Sequence, residues 1–310
     1  MSDQRVISRA LETSFEPGPA RDMKEDKRSA LFRETPLEIC GRVALGAAWA
    51  LKPRRLGNLA PLARVWLSDL LTGDGTLPDV DGASETSEIA GIARDLSVPT
   101  LLHAYRRGLF PHGHVGAPKW LSPTTRGVVR LQDFHISSRL RSTMRRGKCT
   151  VTFDRDFEGV IKACAGRRPG QWRLTWITPR IMHAYAEAYD EGHVHSFEVW
   201  NKAGDLVGGG YGVAVGQVFV IESMFFRESN ASKIGFSVLA RHLARWGFVM
   251  CDNKWMTATT AQMGFHEMTR PEYLRSLAAL ADAPAGPVRW EAELDSKAVA
   301  DWRPAETHPR

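Results

Sequence analysis

The chain has 310 residues, and its 41 lysines and arginines exceed its 35 aspartates and glutamates, which gives a net charge of +6. A hydrophobic content of 43% and a charged content of 25% exclude a disordered or fibrous protein and allow one large or two modest globular domains. The positive balance fits an anionic partner such as nucleic acid, and simple solubility explains it equally well.

Four scattered cysteines without a Cys-x-x-Cys spacing exclude a disulfide framework and predict a reducing compartment, the cytoplasm. The longest apolar run, at residues 43–51, is far shorter than the roughly 20 residues that cross a membrane. We expect a monomer without a membrane partner.

The first part of the chain gives weak signals. Residues 1–35 are polar, mixed in charge and without periodicity, which predicts a loosely packed leader. Residues 38–72 have apolar positions at helical spacing, and a linker rich in Gly and Asp follows at 73–84.

Two helices are better marked. Ser97 and Pro99 begin a helix that runs to Arg107, where Gly108 follows as a residue suited to a helix C-terminus. Another helix begins at Thr178 and ends before Gly192, with an apolar stripe along one side.

Three strand-like runs follow, and the links between them are so short that the strands must be antiparallel neighbours. They occupy residues 195–200, 206–215 and 217–226. A helix over 231–246 and a last apolar strand at 248–251 come next. This order predicts an α+β fold of the N-acetyltransferase (GNAT) type, although many α+β folds share it.

Glu222 is a carboxylate in an otherwise apolar stretch of strand, next to Ser223. Burying a carboxylate is costly unless it is paired or chemically active, so Glu222 is a candidate catalytic residue. The alternative is a residue at a strand end that points to solvent.

Asp252 and Lys254 follow the last apolar strand, at the kind of position where sites of open α/β sheets collect. Their spacing places both on one face of an extended chain, which predicts an ion pair near a reaction centre. A surface loop with solvated charges is the alternative.

Basic residues cluster along the chain with aromatic residues between them, and such groups can bind phosphates and stack on bases. A solvated basic face with core tryptophans is the alternative. The candidate phosphate-binding residues are Arg106, Arg107, Arg139, Arg141, Arg145, Arg146 and Lys148, with Arg167 and Arg168 beyond them. The interleaved aromatic residues are Tyr105, Trp120, Trp172 and Trp176. His193 and His195 lack a convincing third ligand, so no metal site is predicted.

Several blocks, in one order and close to one spacing, resemble the leucyl/phenylalanyl-tRNA–protein transferases. The blocks are AYRRGLFP (Ala104–Pro111), LSPTTRGVV (Leu121–Val129), TWIT (Thr175–Thr178), GHVHSFEVW (Gly192–Trp200), LVGGGYGVA (Leu206–Ala214), ESMFFRESNASK (Glu222–Lys233) and, more weakly, TAQMGFHEMTRPEYL (Thr260–Leu274). The resemblance covers residues 96–274, and several motifs in register are far more specific than a lone motif.

The resemblance implies a small N-terminal α/β domain at 96–150 and a GNAT-like aminoacyltransferase domain at 151–282. A leader and family-atypical extension at 1–95 precedes them, and a tail follows at 283–310. It implies transfer of Leu, Phe or Met from aminoacyl-tRNA to proteins with N-terminal Arg or Lys, which marks them for proteolysis. No metal or coenzyme is implied, because an aminoacyl ester is already activated and positioning supplies most of the acceleration.

Matched position by position, the resemblance implies that Glu222 holds or deprotonates the attacking amine and that Asp252 belongs to the catalytic relay. Lys254 stands where the family has Gln, so it must act as a neutral amine or only stabilise the oxyanion. Trp176 would stack on the terminal adenine of the tRNA, and His112 takes the place of the family Trp on the other face. Tyr105 and Trp120 are further candidates for contacts with this 3′ end.

The resemblance also implies an apolar pocket for the transferred side chain. Its positions fall on Gly210, Phe219, Met224, Phe236, Leu239 and Cys251. Gly210 and Cys251 are smaller than the Met and the bulky aliphatic residue of the family, so we expect an enlarged or reshaped pocket, with Phe236 taking back some volume. The donor class is therefore implied, whereas the amino acid is not.

Alternatives stay open beside an active transferase that modifies protein N-termini. One is transfer to the amine of a small peptide or metabolite. Another is a non-catalytic tRNA-binding relative, for which Lys254 is the discriminating feature. An acyl-coenzyme-A-dependent N-acetyltransferase is disfavoured, because Ser229–Ser237 (SNASKIGFS) is a poor match to a Gly-rich pyrophosphate loop.

Overall fold

A computed structural model of the chain describes residues 19–50, 59–72, 77–80, 88–113, 116–166, 175–284, 286–287 and 289–304. The chain divides into two compact units, Met1–Arg33 and Glu34–Arg310. The described part of the first unit is helix α1 (Pro19–Phe32) with the residue after it. Arg167, Arg168 and Trp172 lie outside the described residues.

The second unit contains the other helices and all the strands of the described residues. The helices are α2 (Pro36–Ala50), α3 (Leu59–Thr72), α4 (Val98–Arg106), α5 (Ser138–Arg145), α6 (Phe157–Ala165), α7 (Pro179–Asp190), α8 (Ala231–Arg245), α9 (Ala258–Ala261), α10 (Arg270–Leu280) and α11 (Ser296–Ala300). The strands are β1 (Ile89–Ile92), β2 (Phe110–His112), β3 (Lys119–Leu121), β4 (Thr125–Arg130), β5 (Cys149–Phe153), β6 (Val194–Asn201), β7 (Leu206–Val215), β8 (Val218–Phe226), β9 (Met250–Asp252) and β10 (His266–Thr269).

A mixed seven-stranded sheet in the order β10-β4-β9-β8-β7-β6-β5 organises the unit. Its neighbouring strands are antiparallel except β8 and β9, which run parallel. A separate three-stranded sheet has the order β1-β3-β2. The predicted α+β order of an antiparallel meander, a crossover helix and a last strand is confirmed, and the structure shows that this last strand runs parallel to β8.

Turn chemistry explains why the meander forms. Gly216 joins β7 to β8 with a φ of +54°, and a Cβ there would lie 2.2 Å from the carbonyl oxygen of Leu280, so only glycine fits. The next connection is long enough for α8, which lets β9 return parallel to β8. The apolar face of α8 packs on the sheet, with Ile234, Val238 and Leu243 in the main core.

The predicted boundary between residues 150 and 151 falls inside β5. β4, from the predicted 96–150 domain, lies between β9 and β10 in the large sheet. That boundary therefore does not separate two sheets. Among the described residues, no helix is long and apolar enough to span a membrane.

Candidate active site

Glu222 lies at a β-bulge in β8. Ser223 pairs with Tyr211 and Ile221 pairs with Gly212, so Glu222 is the extra residue between two register positions. A bulge re-aims side chains, and such bulges are frequent next to active sites. Phe219 and Ile221 before it belong to the main core, whereas Glu222 joins buried tyrosines. The residue is 5% exposed and its side chain is 0% exposed, which contradicts the solvent-facing alternative.

Two side chains hold one oxygen of this carboxylate. Oε2 of Glu222 accepts a hydrogen bond from the hydroxyl of Tyr185 at 2.9 Å and another from Nζ of Lys254 at 2.9 Å. The hydroxyl of Tyr185 also lies 2.6 Å from that of Tyr105. Burial, followed by the negative charge of Glu222, raises the pKa of both tyrosines well above the usual range, so both stay protonated.

The other carboxylate oxygen is unpaired. Within the part of the chain that the structure describes, Oε1 of Glu222 and the hydroxyl of Tyr211 are buried without a hydrogen-bond partner. Leaving such a group unsatisfied costs about 1–3 kcal/mol, so the site is suited to a polar group from outside the chain.

Lys254 brings a cation into this buried site. Its Nζ donates to the carbonyl oxygen of Glu222 at 2.9 Å as well as to the carboxylate, and it lies 5.1 Å from the ring centroid of Phe110 and 5.0 Å from that of Trp176. Burial lowers the pKa of Lys254, and the charge of Glu222 opposes that shift. The last paired residues of β8 and β9 are Val220 and Asp252. Beyond them, the side chain of Lys254 connects the two strands by its hydrogen bonds to Glu222.

Asp252 is held by a set of donors that differs from the set that holds Glu222. Its carboxylate accepts hydrogen bonds from the guanidinium of Arg126, from the hydroxyl of Tyr273 at 2.9 Å and from the backbone N–H of Lys254 at 2.7 Å. The predicted ion pair between the side chains of Asp252 and Lys254 is therefore wrong. The φ of +64° at Lys254 turns the chain, so its ammonium reaches Glu222 instead.

Arg126 completes the support of Asp252. It lies in β4, is 1% exposed, and also donates to the carbonyl oxygen of Gly108 at 3.2 Å. Its guanidinium carbon lies 4.3 Å from the ring centroid of Tyr273. Burial disfavours the charged form, but Asp252 and Tyr273 together outweigh burial and keep the pKa of Arg126 above its usual value.

Trp176 and His112 lie together at the edge of this cluster. Their rings stack on each other with centroids 5.1 Å apart and planes inclined by 26°. An adenine between the two faces, as the resemblance implies, requires the rings to separate further. Trp255 meets the ring of His112 edge-on at 5.5 Å.

Two of the candidate residues for the tRNA 3′ end are buried. Tyr105 and Trp120 are each 2% exposed, so neither presents a ring face on which a base could stack, and that prediction is wrong for both. Tyr105 instead supports Tyr185 through its hydroxyl. Trp120 lies in β3, with its side chain in the core.

The proposed pocket positions converge in one apolar cluster, in which Phe219, Phe236, Leu239 and Cys251 are at most 1% exposed. The expected gap at Gly210 is filled. A Cβ there would lie 2.7 Å from Cγ of Met224 and 2.7 Å from Cε1 of Phe197. These two neighbours, rather than residue 210, therefore limit the space at this end.

The candidate phosphate-binding residues divide by exposure. Arg141 is 8% exposed and donates to the carbonyl oxygens of Ile136, Ala300 and Trp302, so its prediction as a phosphate ligand is wrong. Of the other described candidates, all are at least partly exposed: Arg106, Arg107, Arg139, Arg145, Arg146 and Lys148. Three of them lie near carboxylates: Arg106 at 3.9 Å from Asp282, Arg107 at 3.6 Å from Asp79 and Arg145 at 2.6 Å from Asp301.

Sequence reasoning missed five residues that build the site: Phe110, Arg126, Tyr185, Tyr211 and Tyr273. A signal existed for Arg126, a charged residue beside the apolar pair Val128 and Val129 of the same strand. The tyrosines gave none, because an apolar stripe on a helix explains Tyr185 and Tyr273 equally well, and an apolar position of a strand explains Tyr211. No group of three His, Cys, Asp or Glu in the described ranges is placed to hold a metal ion.

Comparison with known proteins gives two family matches. The family described as "Leucyl/phenylalanyl-tRNA protein transferase" matches residues 128–278, and its N-terminal domain matches residues 94–124. Curated proteins with that name are similar over most of their length. The protein from Azotobacter vinelandii is 43% identical over 198 residues, which cover 64% of this chain and 87% of that one. The protein from Alkalilimnicola ehrlichii is 38% identical over 237 residues, covering 76% and 92%.

A solved structure titled "The structure of L-PGS from Bacillus licheniformis" is also similar in part. It is 14% identical and covers 51% of this chain and 53% of that one, with a TM-score of 0.29. That score is too low to support an argument about the fold.

Proposed function

The chain belongs to the leucyl/phenylalanyl-tRNA protein transferase family, and from that membership we propose that it transfers an apolar amino acid from a charged tRNA to the N-terminal amine of a protein. Such transfer tags the acceptor for proteolysis. It takes place in the cytoplasm, where charged tRNA is made, and it needs no coenzyme because the aminoacyl ester is already activated.

We place the reaction centre at Glu222 because one of its carboxylate oxygens is buried without a hydrogen-bond partner. The acceptor nitrogen attacks the ester carbonyl carbon, a C–N bond forms, and the C–O bond to the tRNA ribose breaks. Oε1 of Glu222 is buried with an unused lone pair, so it is suited to accept the proton that the amine loses. The departing ribose oxygen takes up a proton in turn.

Lys254 supplies positive charge beside Glu222. An ammonium held in a buried site stabilises the negative charge that develops on the carbonyl oxygen, and it stays within hydrogen-bond distance of Glu222. Asp252 is a positioning residue in this proposal, because its carboxylate binds Arg126, Tyr273 and the backbone of Lys254 rather than a reacting group.

The proposed mechanism has no covalent enzyme intermediate. Cys251, next to Asp252, is fully buried, and burial raises the pKa of its thiol, which disfavours the nucleophilic thiolate. We further propose that Trp176 stacks on the terminal adenine after separating from His112. We also infer a GNAT-type fold for the transferase domain, supported by the meander, the crossover helix and the short β8–β9 pairing beside the bulge.

A transfer assay tests the proposal. Purified protein is mixed with tRNA charged with labelled Leu, Phe or Met and with a protein that has an N-terminal Arg, and label in the acceptor is measured. We expect transfer by the unaltered chain and a loss of about 100-fold or more in Glu222→Gln, which removes the base but keeps the shape.

Glu228→Gln is the matched control, because Glu228 is an exposed glutamate six residues further along the chain, just after the end of β8. It should transfer at the unaltered rate. Retained activity in Glu222→Gln would remove Glu222 from the mechanism. Binding of charged tRNA without transfer to a protein, peptide or metabolite amine would identify a non-catalytic relative.

A further inference from the structure

The C-terminal segment, defined here as residues 289–304, lies beyond the family match that ends at residue 278. Although its sequence gave no functional signal, it packs into the main core. Trp290, Val299, Ala300 and Trp302 are at most 6% exposed and belong to the same apolar cluster as the proposed pocket residues.

Trp290 lies behind Phe219, one of the proposed pocket residues. The ring centroids of Trp290 and Phe219 are 5.6 Å apart. The other side of the tryptophan is occupied, since its ring stacks in parallel on that of His195 at 3.7 Å and meets Phe248 at 5.7 Å. Phe219 therefore cannot move away from the pocket while Trp290 is in place.

Trp302 supports a second pocket residue, Phe236, indirectly, because Phe134 lies between the two rings. Its ring stacks on that of Phe134 at 5.7 Å, and Phe134 meets the pocket residue Phe236 edge-on at 5.7 Å. The guanidinium of Arg241 covers Trp302 at 5.6 Å from its centroid. Phe134 is thus held between the C-terminal segment and the pocket.

Polar contacts fix the segment in this position. Nη1 of Arg141 donates to the carbonyl oxygens of Ala300 at 2.6 Å and Trp302 at 2.9 Å. The backbone N–H of Leu294 donates to Nε2 of His242 at 3.2 Å. The segment is therefore held at Trp290 by ring contacts, at Leu294 by His242, and at Ala300 and Trp302 by Arg141, so it is a fixed part of the core.

We propose that the C-terminal segment determines which amino acid the enzyme transfers, because Trp290 and Trp302 set the positions of Phe219 and Phe236. This inference rests on the proposed function and on the pocket assigned to it. Both tryptophans are positioning residues, since neither is placed against the substrate. Removing either ring lets a pocket phenylalanine retreat, and the pocket then accepts a larger side chain.

The test compares donors of different size. We measure kcat/KM for transfer from Leu-tRNA and Phe-tRNA to the same acceptor with the unaltered chain, Trp290→Phe, Trp290→Ala and Trp302→Phe. We expect the Phe to Leu ratio to rise by about tenfold in Trp290→Ala, and less in the two phenylalanine variants, which keep most of the apolar volume.

Val299→Ala is the matched control. Val299 is fully buried in the same segment, so the variant is destabilised without losing a ring behind the pocket. It should lower the melting temperature and leave the donor ratio unchanged. If Trp290→Ala does not fold, Trp290→Phe decides the question.

A donor ratio within twofold of the unaltered chain in every folded tryptophan variant would overturn the inference. So would an equal shift in Val299→Ala, which would reduce the effect to lost stability. Absence of transfer from either donor by the unaltered chain is a different result, since it refutes the proposed function itself.

Discussion

Lys254 supplies the positive charge that balances the carboxylate of Glu222 in the buried site. Glu222, Asp252, Arg126 and Lys254 are buried together, and their four charges cancel in two contacting pairs, Glu222 with Lys254 and Asp252 with Arg126. A buried carboxylate that loses its cation is strongly disfavoured in its charged form. The left-handed backbone at Lys254, φ +64°, costs energy for a side chain other than glycine, and the bond to Asp252 compensates for it.

Replacing Lys254 by Met should lower the rate of transfer by about 100- to 1000-fold, because a charge that stabilises the transition state is removed. Lys254→Gln should lose less, since an amide keeps a hydrogen-bond donor for Glu222. Single-turnover transfer from a saturating charged tRNA measures both. A Lys254→Met enzyme as fast as the unaltered chain would show that the ammonium takes no part in the reaction.

The same residue predicts a pH dependence. Burial lowers the pKa of Lys254, so its proton is lost at a lower pH than that of an exposed lysine. If the charged form is the active one, the rate falls as pH rises through this lowered pKa. The alkaline fall should be absent from the pH profile of Lys254→Gln; an identical fall in that variant would assign it to another group.

Among the elements, the meander and the crossover were predictable, whereas the bulge was not. Short links require antiparallel neighbours whatever the rest of the chain does. The bulge at Glu222 depends on how β7 and β8 settle against the helices, which local sequence does not encode. Arg126 and Asp252 meet across 126 positions of the chain, and only the completed sheet brings them together.

The burial of Arg141 was predictable from the helical periodicity of α5. Leu140, Arg141 and Met144 lie on the buried face of α5, while Arg139, Arg145 and Arg146 are exposed. A count of helical periodicity over this stretch separates the buried arginine from the exposed ones. Treating the run as one basic cluster concealed the difference.

Helix α8 holds the C-terminal segment through His242, and this contact depends on pH. The imidazole is fully buried, with Nδ1 2.7 Å from the carbonyl oxygen of Val238 and Nε2 accepting the N–H of Leu294, so it is neutral. Burial lowers its pKa below 6.5. The unfolded chain therefore binds a proton first as pH falls below this value, and the folded state loses stability.

We expect the free energy of unfolding to fall on acidification from pH 7.5 to pH 5 by more in the unaltered chain than in His242→Gln. The neighbouring Arg241, Arg245 and Glu293 are shared by both proteins, so their effects cancel in the comparison. Urea denaturation at each pH measures the difference. Equal losses in both proteins would contradict a role for His242.

Across the whole molecule, the net charge of +6 is informative only after buried and exposed cations are separated. Arg126, Arg141 and Lys254 are buried and bind groups of the chain itself, so they are unavailable to phosphates. Arg139 in the first turn of α5, and Arg146 and Lys148 just beyond its last residue, are exposed. Binding of tRNA should therefore depend on the second set, because phosphate contacts release counterions and make affinity fall with salt.

Arg139→Ala should weaken binding of tRNA and reduce the slope of log affinity against log salt concentration by about 1, at an unchanged melting temperature. Arg141→Ala should affect the stability of the fold and not the salt dependence of tRNA binding. It removes charged hydrogen bonds to the C-terminal segment, so it should lower stability by about 2 kcal/mol and leave the salt slope unchanged. Filter binding of tRNA at several salt concentrations, with thermal unfolding of each variant, separates the two. A salt slope that falls equally in both variants would mean that burial does not distinguish these arginines, and that the segment moves away when tRNA binds.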